Sequence, residues 1–247
     1  MTDAPQLDHL TLLGEATNRF ASLARDASGD ESVPACEPWR VRDLVEHLGT
    51  VHRWAASIVL SGQRLVEPEP LVVGDPADWY AGTAAALLAA LRAVDPGEPV
   101  PNFSRVDETA AFWPRRQLLE VTVHVVDLLQ ALGRDESQWA VPAELAAEGV
   151  DEVLRVFFPR MASRGTHPDV RSRVRLVADD LDRSWVVGPP ESDDGPPVQL
   201  DATSDVEAVV SGPASDLYLA LWHRVPRARL RFEGDAGIAL LDGPTTP

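Results

Sequence analysis

The sequence predicts an α+β fold, with an N-terminal four-helix bundle over residues 1–140 and a small α+β domain over residues 141–247. Two patterns support this prediction. Apolar residues recur at helical spacing through the first half of the chain. Short β-like runs, separated by Gly and Pro, fill most of the second half. The character of the sequence changes near residues 139–142, and we expect the domain boundary there.

Four helices are predicted in the first half, because each periodic apolar segment is bounded by turn-forming residues. The four segments cover about residues 7–27, 41–60, 76–94 and 114–132. Pro38 stands just ahead of the second segment, where a proline is tolerated, and a Pro-rich loop precedes the third. Helices of these lengths are typical of an antiparallel bundle.

The second half is predicted to mix helices with short strands. Helices are expected at about residues 142–161 and 214–223. Strands are expected at about residues 174–177, 184–187, 198–200 and 230–232. A small α+β domain follows from this order of elements.

The charge pattern excludes several classes of function. The formal net charge is −17, and all 22 cationic residues are arginine. Without lysine there is neither a Walker A phosphate loop nor lysine Schiff-base chemistry. An acidic protein repels nucleic acids and anionic membranes, so we expect neither as a partner.

Compartment signals favour the cytoplasm. No uninterrupted apolar stretch of about 18 residues is present, which predicts no membrane span. Residues 1–5 are polar and acidic, unlike a secretory signal. Cys36 is the single cysteine and has no partner for an internal disulfide, so a reducing compartment is expected.

The most informative residues for function are a glutamate and a histidine four positions apart. Glu120 and His124 project from one face of the predicted fourth helix, among apolar neighbours. His47 lies beside the apolar stripe of the second helix and is placed to meet them across the bundle. Two histidines and one carboxylate form a ligand set that catalytic zinc uses.

On the residues alone, a plainer interpretation stays open. The Glu120–His124 pair is also consistent with a surface hydrogen bond, and His47 with a core histidine bonded to a carbonyl group. His52 lies roughly 140° around the helix from His47, and we expect it at the surface. Cys36 is expected to be a small buried residue rather than a nucleophile.

Three stretches of the sequence resemble the mycothiol-dependent maleylpyruvate isomerase family. Residues 36–49, with the sequence CEPWRVRDLVEHLG, are similar to the family's N-terminal signature, with Glu37-Pro38 in place of the more usual Pro-Gly. The second stretch carries Glu120, His124, Asp127, Ala131 and Gly133. The third is Leu219-Ala220-Leu221-Trp222-His223-Arg224, so the resemblance covers nearly the whole chain.

This resemblance implies a fold, a metal site and a cosubstrate. It implies a DinB-like metal-binding bundle followed by a sterol-carrier-like domain. It implies that His47, Glu120 and His124 bind zinc or another divalent metal. The thiol of mycothiol is then the implied cosubstrate, and Arg224 is the implied arginine that binds the substrate. Asp43 and Asp127 are each placed to orient a ligand histidine, although Asp43 suits the helix N-terminus better.

The implied activity is attack by a metal-activated thiol on a small electrophile, which would carry a carboxylate if Arg224 binds it. Isomerisation by addition and elimination fits this site, and so does thiol transfer. Two other functions stay open: a metal-dependent hydrolase that uses zinc-bound water, and a non-catalytic ligand-binding or regulatory protein. The sequence does not specify the electrophile, the metal or the oligomeric state.

Overall fold

The computed structural model describes residues 7–104, 108–191 and 195–247. It forms two compact units, Met1–Trp139 and Ala140–Pro247. The N-terminal residues used above to argue against a secretory signal lie outside the described residues. No helix of the described residues has both the length and the apolar character needed to cross a bilayer.

The first unit is built from four long helices. They are α1 (His9–Asp26), α2 (Val41–Ser61), α3 (Pro76–Ala93) and α4 (Phe112–Ala131). Helices α1 and α2 each pack against both α3 and α4, which produces the predicted bundle. A 3₁₀ turn, Pro34–Cys36, lies between α1 and α2 and contacts α4.

Local sequence signals set the helix ends. Asp8 accepts a hydrogen bond from the backbone N–H of Thr11 at the start of α1, and Asp75 accepts two at the start of α3. Asp43 accepts from the backbone N–H of Arg40 at the start of α2, which confirms its expected role at that helix end. Gly62 ends α2 in the left-handed conformation, with φ of 63°.

Helices α2 and α3 approach each other closely at Gly49. Gly49 lies on α2 against the ring of Trp79 on α3, so that a Cβ atom at position 49 would clash with the indole. Gly49 is therefore required for α2 and α3 to pack at this distance.

The second unit begins with a helix that the sequence predicts as continuous but that changes its winding. It comprises α5 (Ala143–Glu152), a π-helical turn (Val153–Phe157) and α6 (Phe158–Ala162). Pro159 provides the physical reason, because it has no backbone N–H and its ring clashes with an undisturbed α-helical turn before it.

A five-stranded mixed sheet forms the rest of the second unit. Its strands are β1 (Val174–Ala178), β2 (Arg183–Gly188), β3 (Val198–Leu200), β4 (Ala208–Gly212) and β5 (Arg231–Glu233). The order is β3-β2-β1-β4-β5, and only β1 and β4 pair in parallel. Helices α7 (Ala214–Leu221) and α8 (Ala236–Asp242) contact β1 and β4. The predicted α+β fold is confirmed, although the sequence analysis missed β4 and α8.

Candidate metal centre

Helices α2 and α4 bring the three predicted ligands to one point. His47 Nε2 lies 3.2 Å from Glu120 Oε1, and His124 Nε2 lies 3.3 Å from the same oxygen. The two imidazole rings are 5.2 Å apart and nearly perpendicular. One donor atom from each residue lies within 4.8 Å of the other two. The four-residue spacing on α4 and the inward face of α2 account for this convergence.

Because these side chains are largely buried, bringing them together costs free energy unless a positive charge lies beside them. The side chains of Glu120 and His124 are 15% and 9% exposed. The pKa of His47 is lowered to about 4, mainly by burial and secondly by the neighbouring His124. At neutral pH the His47 ring is therefore uncharged, and it offers a lone pair rather than a positive charge.

Asp127 determines which nitrogen of His124 faces the centre. Its Oδ2 lies 2.8 Å from His124 Nδ1, and its side chain is fully buried. A carboxylate only accepts hydrogen bonds, so Nδ1–H donates and Nε2 keeps its lone pair. That lone pair then faces Glu120 Oε1 at 3.3 Å, where two acceptors repel unless a cation lies between them. The donor set therefore fits a divalent metal.

Arg116 engages the other oxygen of the glutamate. It lies one helical turn before Glu120, and its guanidinium Nη2 pairs with Glu120 Oε2. The side chain of Arg116 is only 4% exposed. The two oxygens of the carboxylate thus have different partners: Oε2 faces the arginine and Oε1 faces both imidazoles.

Two further side chains adjoin the centre. Cys36 is half-buried, not fully buried as expected, and its Sγ lies 3.6 Å from Asp127 Oδ2. The 3₁₀ turn that carries it packs against α4, which explains this position. The ring of Trp39 lies 5.0 Å from that of His47.

His52 is not at the surface, and that expectation is wrong. It is fully buried, and its ring lies 5.3 Å from that of Tyr80 on α3. Its side of α2 does face away from His47, but α3 covers that side. A helical wheel gives the direction of a side chain and does not show which helix packs there.

Arg224 belongs to the second unit, directly after α7. Its Nη1 donates to the carbonyl oxygen of Trp222, and its guanidinium lies 5.7 Å from the centre of the Trp222 ring. His223 adopts φ of 58°, unusual for a residue other than glycine, and so turns the chain sharply before Arg224. Both residues line a cavity of about 770 Å³ within the second unit, together with Arg227 and several apolar side chains.

These features define a class of protein: a helical bundle with a candidate metal centre, followed by a small mixed-sheet unit. Family models match both halves in the same order. The model for the mycothiol maleylpyruvate isomerase N-terminal domain matches residues 10–129, and the model for the MDMPI C-terminal domain matches residues 144–240. The chain belongs to the mycothiol-dependent maleylpyruvate isomerase family.

Solved structures support the same fold. The chain is similar to a crystal structure of the mycothiol-dependent maleylpyruvate isomerase, with 16% identity over 92% of both chains and a TM-score of 0.62. A histidine-to-alanine mutant of a mycothiol-dependent maleylpyruvate isomerase matches with 14% identity over 92% of both chains and a TM-score of 0.63. No curated protein sequence is significantly similar to the chain.

Proposed function

We propose that the chain is a mycothiol-dependent isomerase in which His47, Glu120 and His124 hold one divalent metal, with zinc as the expected ion. Family membership supports the thiol cosubstrate and the isomerase class. The observation that carries the metal proposal is the convergence of two imidazole nitrogens on one carboxylate oxygen in a largely buried site. Two histidines and one carboxylate leave zinc a position for an exogenous donor.

A metal held by these residues would supply a thiolate at neutral pH, because a free thiol has a pKa of about 8.5 and coordination to a dication strongly favours deprotonation. The chain's own residues prepare the site. His47 presents a neutral ring, since burial keeps its pKa at about 4. Asp127 holds the tautomer of His124 that has its lone pair on Nε2.

The proposed reaction is an addition followed by an elimination. The sulfur of the cosubstrate forms a bond to one carbon of an activated double bond, and the π electrons move to the conjugated carbonyl oxygen. The remaining carbon–carbon single bond rotates. The electrons then return, the carbon–sulfur bond breaks and the same thiolate leaves, so the thiol is regenerated.

Arg224 is proposed to bind a carboxylate of the electrophile. Its guanidinium is half-buried and held by the Trp222 carbonyl and ring, which limits its freedom. A planar guanidinium binds carboxylates in bidentate geometry. Apolar side chains and an ion pair between Arg227 and Asp242 complete the walls of the cavity around it, which has room for a small organic acid. Free-thiol chemistry requires a reducing compartment, and we keep the cytoplasm as the proposed location.

The test is conversion of maleylpyruvate by the zinc-loaded protein with and without mycothiol. We expect isomerisation that requires both zinc and mycothiol and that is lost in His47→Ala. His167→Ala, a histidine change in the second unit, serves as the matched control and should retain activity. A product heavier by one mycothiol would show transfer instead. Conversion that is independent of thiol would overturn the proposal.

A further inference from the structure

A cavity of about 580 Å³ lies beside His47 within the first unit. The residues that line it include Trp39, Thr50 and four carboxylates, which are Asp43, Glu46, Glu67 and Glu69. Among the described residues that line it, none is an arginine. A candidate metal ligand, His47, and a strongly acidic wall therefore line the same cavity.

Most of this acidity is not neutralised inside the protein. Asp43 accepts a hydrogen bond at the N-terminus of α2. In the parts of the chain that the structure describes, no side chain forms an ion pair or hydrogen bond with the carboxylates of Glu46, Glu67 or Glu69.

Thr50 provides an independent sign of a ligand. It lies one helical turn after His47 and is only 2% exposed. Its Oγ1 is buried and has no hydrogen-bond partner in the described structure. A buried hydroxyl without a partner is costly, and a residue that also lines a cavity can regain that hydrogen bond from a bound molecule.

Trp39 adds a surface that suits the same kind of molecule. Its half-buried indole lies at the cavity beside the His47 ring. The face of an indole attracts cations and excludes water from weakly polar groups packed on it. Carboxylates accept hydrogen bonds and repel anions. The walls thus select for hydrogen-bond donors and against negative charge.

We propose that this cavity binds the part of the thiol cosubstrate that carries hydroxyl or ammonium groups, and that it excludes anionic thiols. This inference rests on the proposed function, because the sulfur must reach the metal held partly by His47. It assigns the cosubstrate to the acidic cavity of the bundle. The carboxylate-bearing electrophile is disfavoured there by charge.

The test uses protein loaded with Co²⁺, in which visible absorption reports the metal ligands and near-ultraviolet absorption reports thiolate coordination. Three thiols are titrated: 1-thioglycerol, cysteamine and 3-mercaptopropionate. The Glu67→Gln/Glu69→Gln double variant is compared with a double variant of two exposed glutamates outside the cavity, Glu15→Gln/Glu98→Gln. For each protein, the affinity for each thiol is divided by the affinity for 1-thioglycerol. The intrinsic differences between the thiols then cancel when these ratios are compared between proteins.

The relative affinity for 3-mercaptopropionate should rise roughly five- to tenfold in the cavity variant and stay unchanged in the control variant, because two nearby negative charges are removed. Thr50→Val should weaken 1-thioglycerol binding about fivefold while leaving the cobalt spectrum intact. Identical thiol preferences in all proteins, with cobalt bound normally, would overturn the cavity assignment alone. Failure of cobalt to bind would overturn the proposed function as well.

Discussion

Asp127 Oδ2 and His124 Nδ1 lie 2.8 Å apart in the bundle interior, and this contact directs the other ring nitrogen toward Glu120. A neutral imidazole has two tautomers, and only one of them presents a lone pair at Nε2. The buried carboxylate selects that tautomer. The metal centre therefore depends on a residue that would not itself contact the metal.

Replacing this carboxylate should weaken metal binding. Asp127→Asn allows the amide N–H₂ to donate to Nδ1, which would favour the wrong tautomer of His124. We expect zinc affinity to fall by about 10- to 100-fold. Competition against a chelator measures this affinity, and Asp182→Asn, at an exposed position in the second unit, is the control. An unchanged zinc affinity in Asp127→Asn would remove the orienting role.

Arg116 should stabilise the metal-free protein through Glu120. Arg116→Gln leaves Glu120 Oε2 largely buried without its charged partner. We expect the free energy of unfolding of the metal-free protein to fall by about 2–4 kcal/mol. A bound dication would compensate part of the lost positive charge, so zinc should raise the melting temperature of this variant more than that of the parent. Chemical denaturation of Arg116→Gln and of Arg116→Gln/Glu120→Gln measures the effect. The double variant should lose less unfolding free energy, because it leaves no unpaired carboxylate, and equal losses in both variants would contradict the pairing.

Gly49 should be intolerant of a side chain. In Gly49→Ala the new methyl group meets the Trp79 ring, so α2 and α3 must separate. We expect a destabilisation of about 1–3 kcal/mol, despite the better helix propensity of alanine. Thermal unfolding followed by circular dichroism measures it. Gly82→Ala, on α3 with open space around the new methyl group, should be neutral or stabilising, and similar losses at both sites would argue against this packing.

His52 should make the bundle sensitive to acid. Burial lowers its pKa from 6.5 to about 3, so the folded protein keeps the ring neutral while the unfolded chain protonates it. The unfolded state therefore binds more protons between these pH values, and stability should fall as the pH drops from about 6.5 toward 3. Urea denaturation of the metal-free protein at several pH values measures this slope. His52→Leu should reduce it, and an equally steep slope in that variant would contradict the assignment.

The sequence was sufficient for the long helices and for the three converging side chains. Four periodic apolar segments predict the bundle, and the spacing of Glu120 and His124 places them on one face. The apolar stripe beside His47 allowed this residue to meet them across the bundle, but only the family resemblance favoured that arrangement over a core histidine, because spacing within one helix carries no information about contacts between helices.

Other parts of the site and fold depend on tertiary packing. Arg116 stands four residues before Glu120, a spacing that predicts an ion pair, but not that the pair is buried beside two histidines. Strand β4 is as long as the predicted β1, but it ends in Ser211-Gly212, residues that are typical of turns, and α8 has only seven residues, too few for a clear helical period. Both are stabilised by their contacts with the sheet.

The most direct test of the account is the zinc content of the purified protein and of two matched histidine variants. We expect one zinc per chain in the parent, its loss in His47→Ala and its retention in His52→Leu, since of these two histidines on α2 it is His47 that faces Glu120. Zinc that is absent from the correctly folded parent after incubation with the metal, or that persists in His47→Ala, would contradict the central claim.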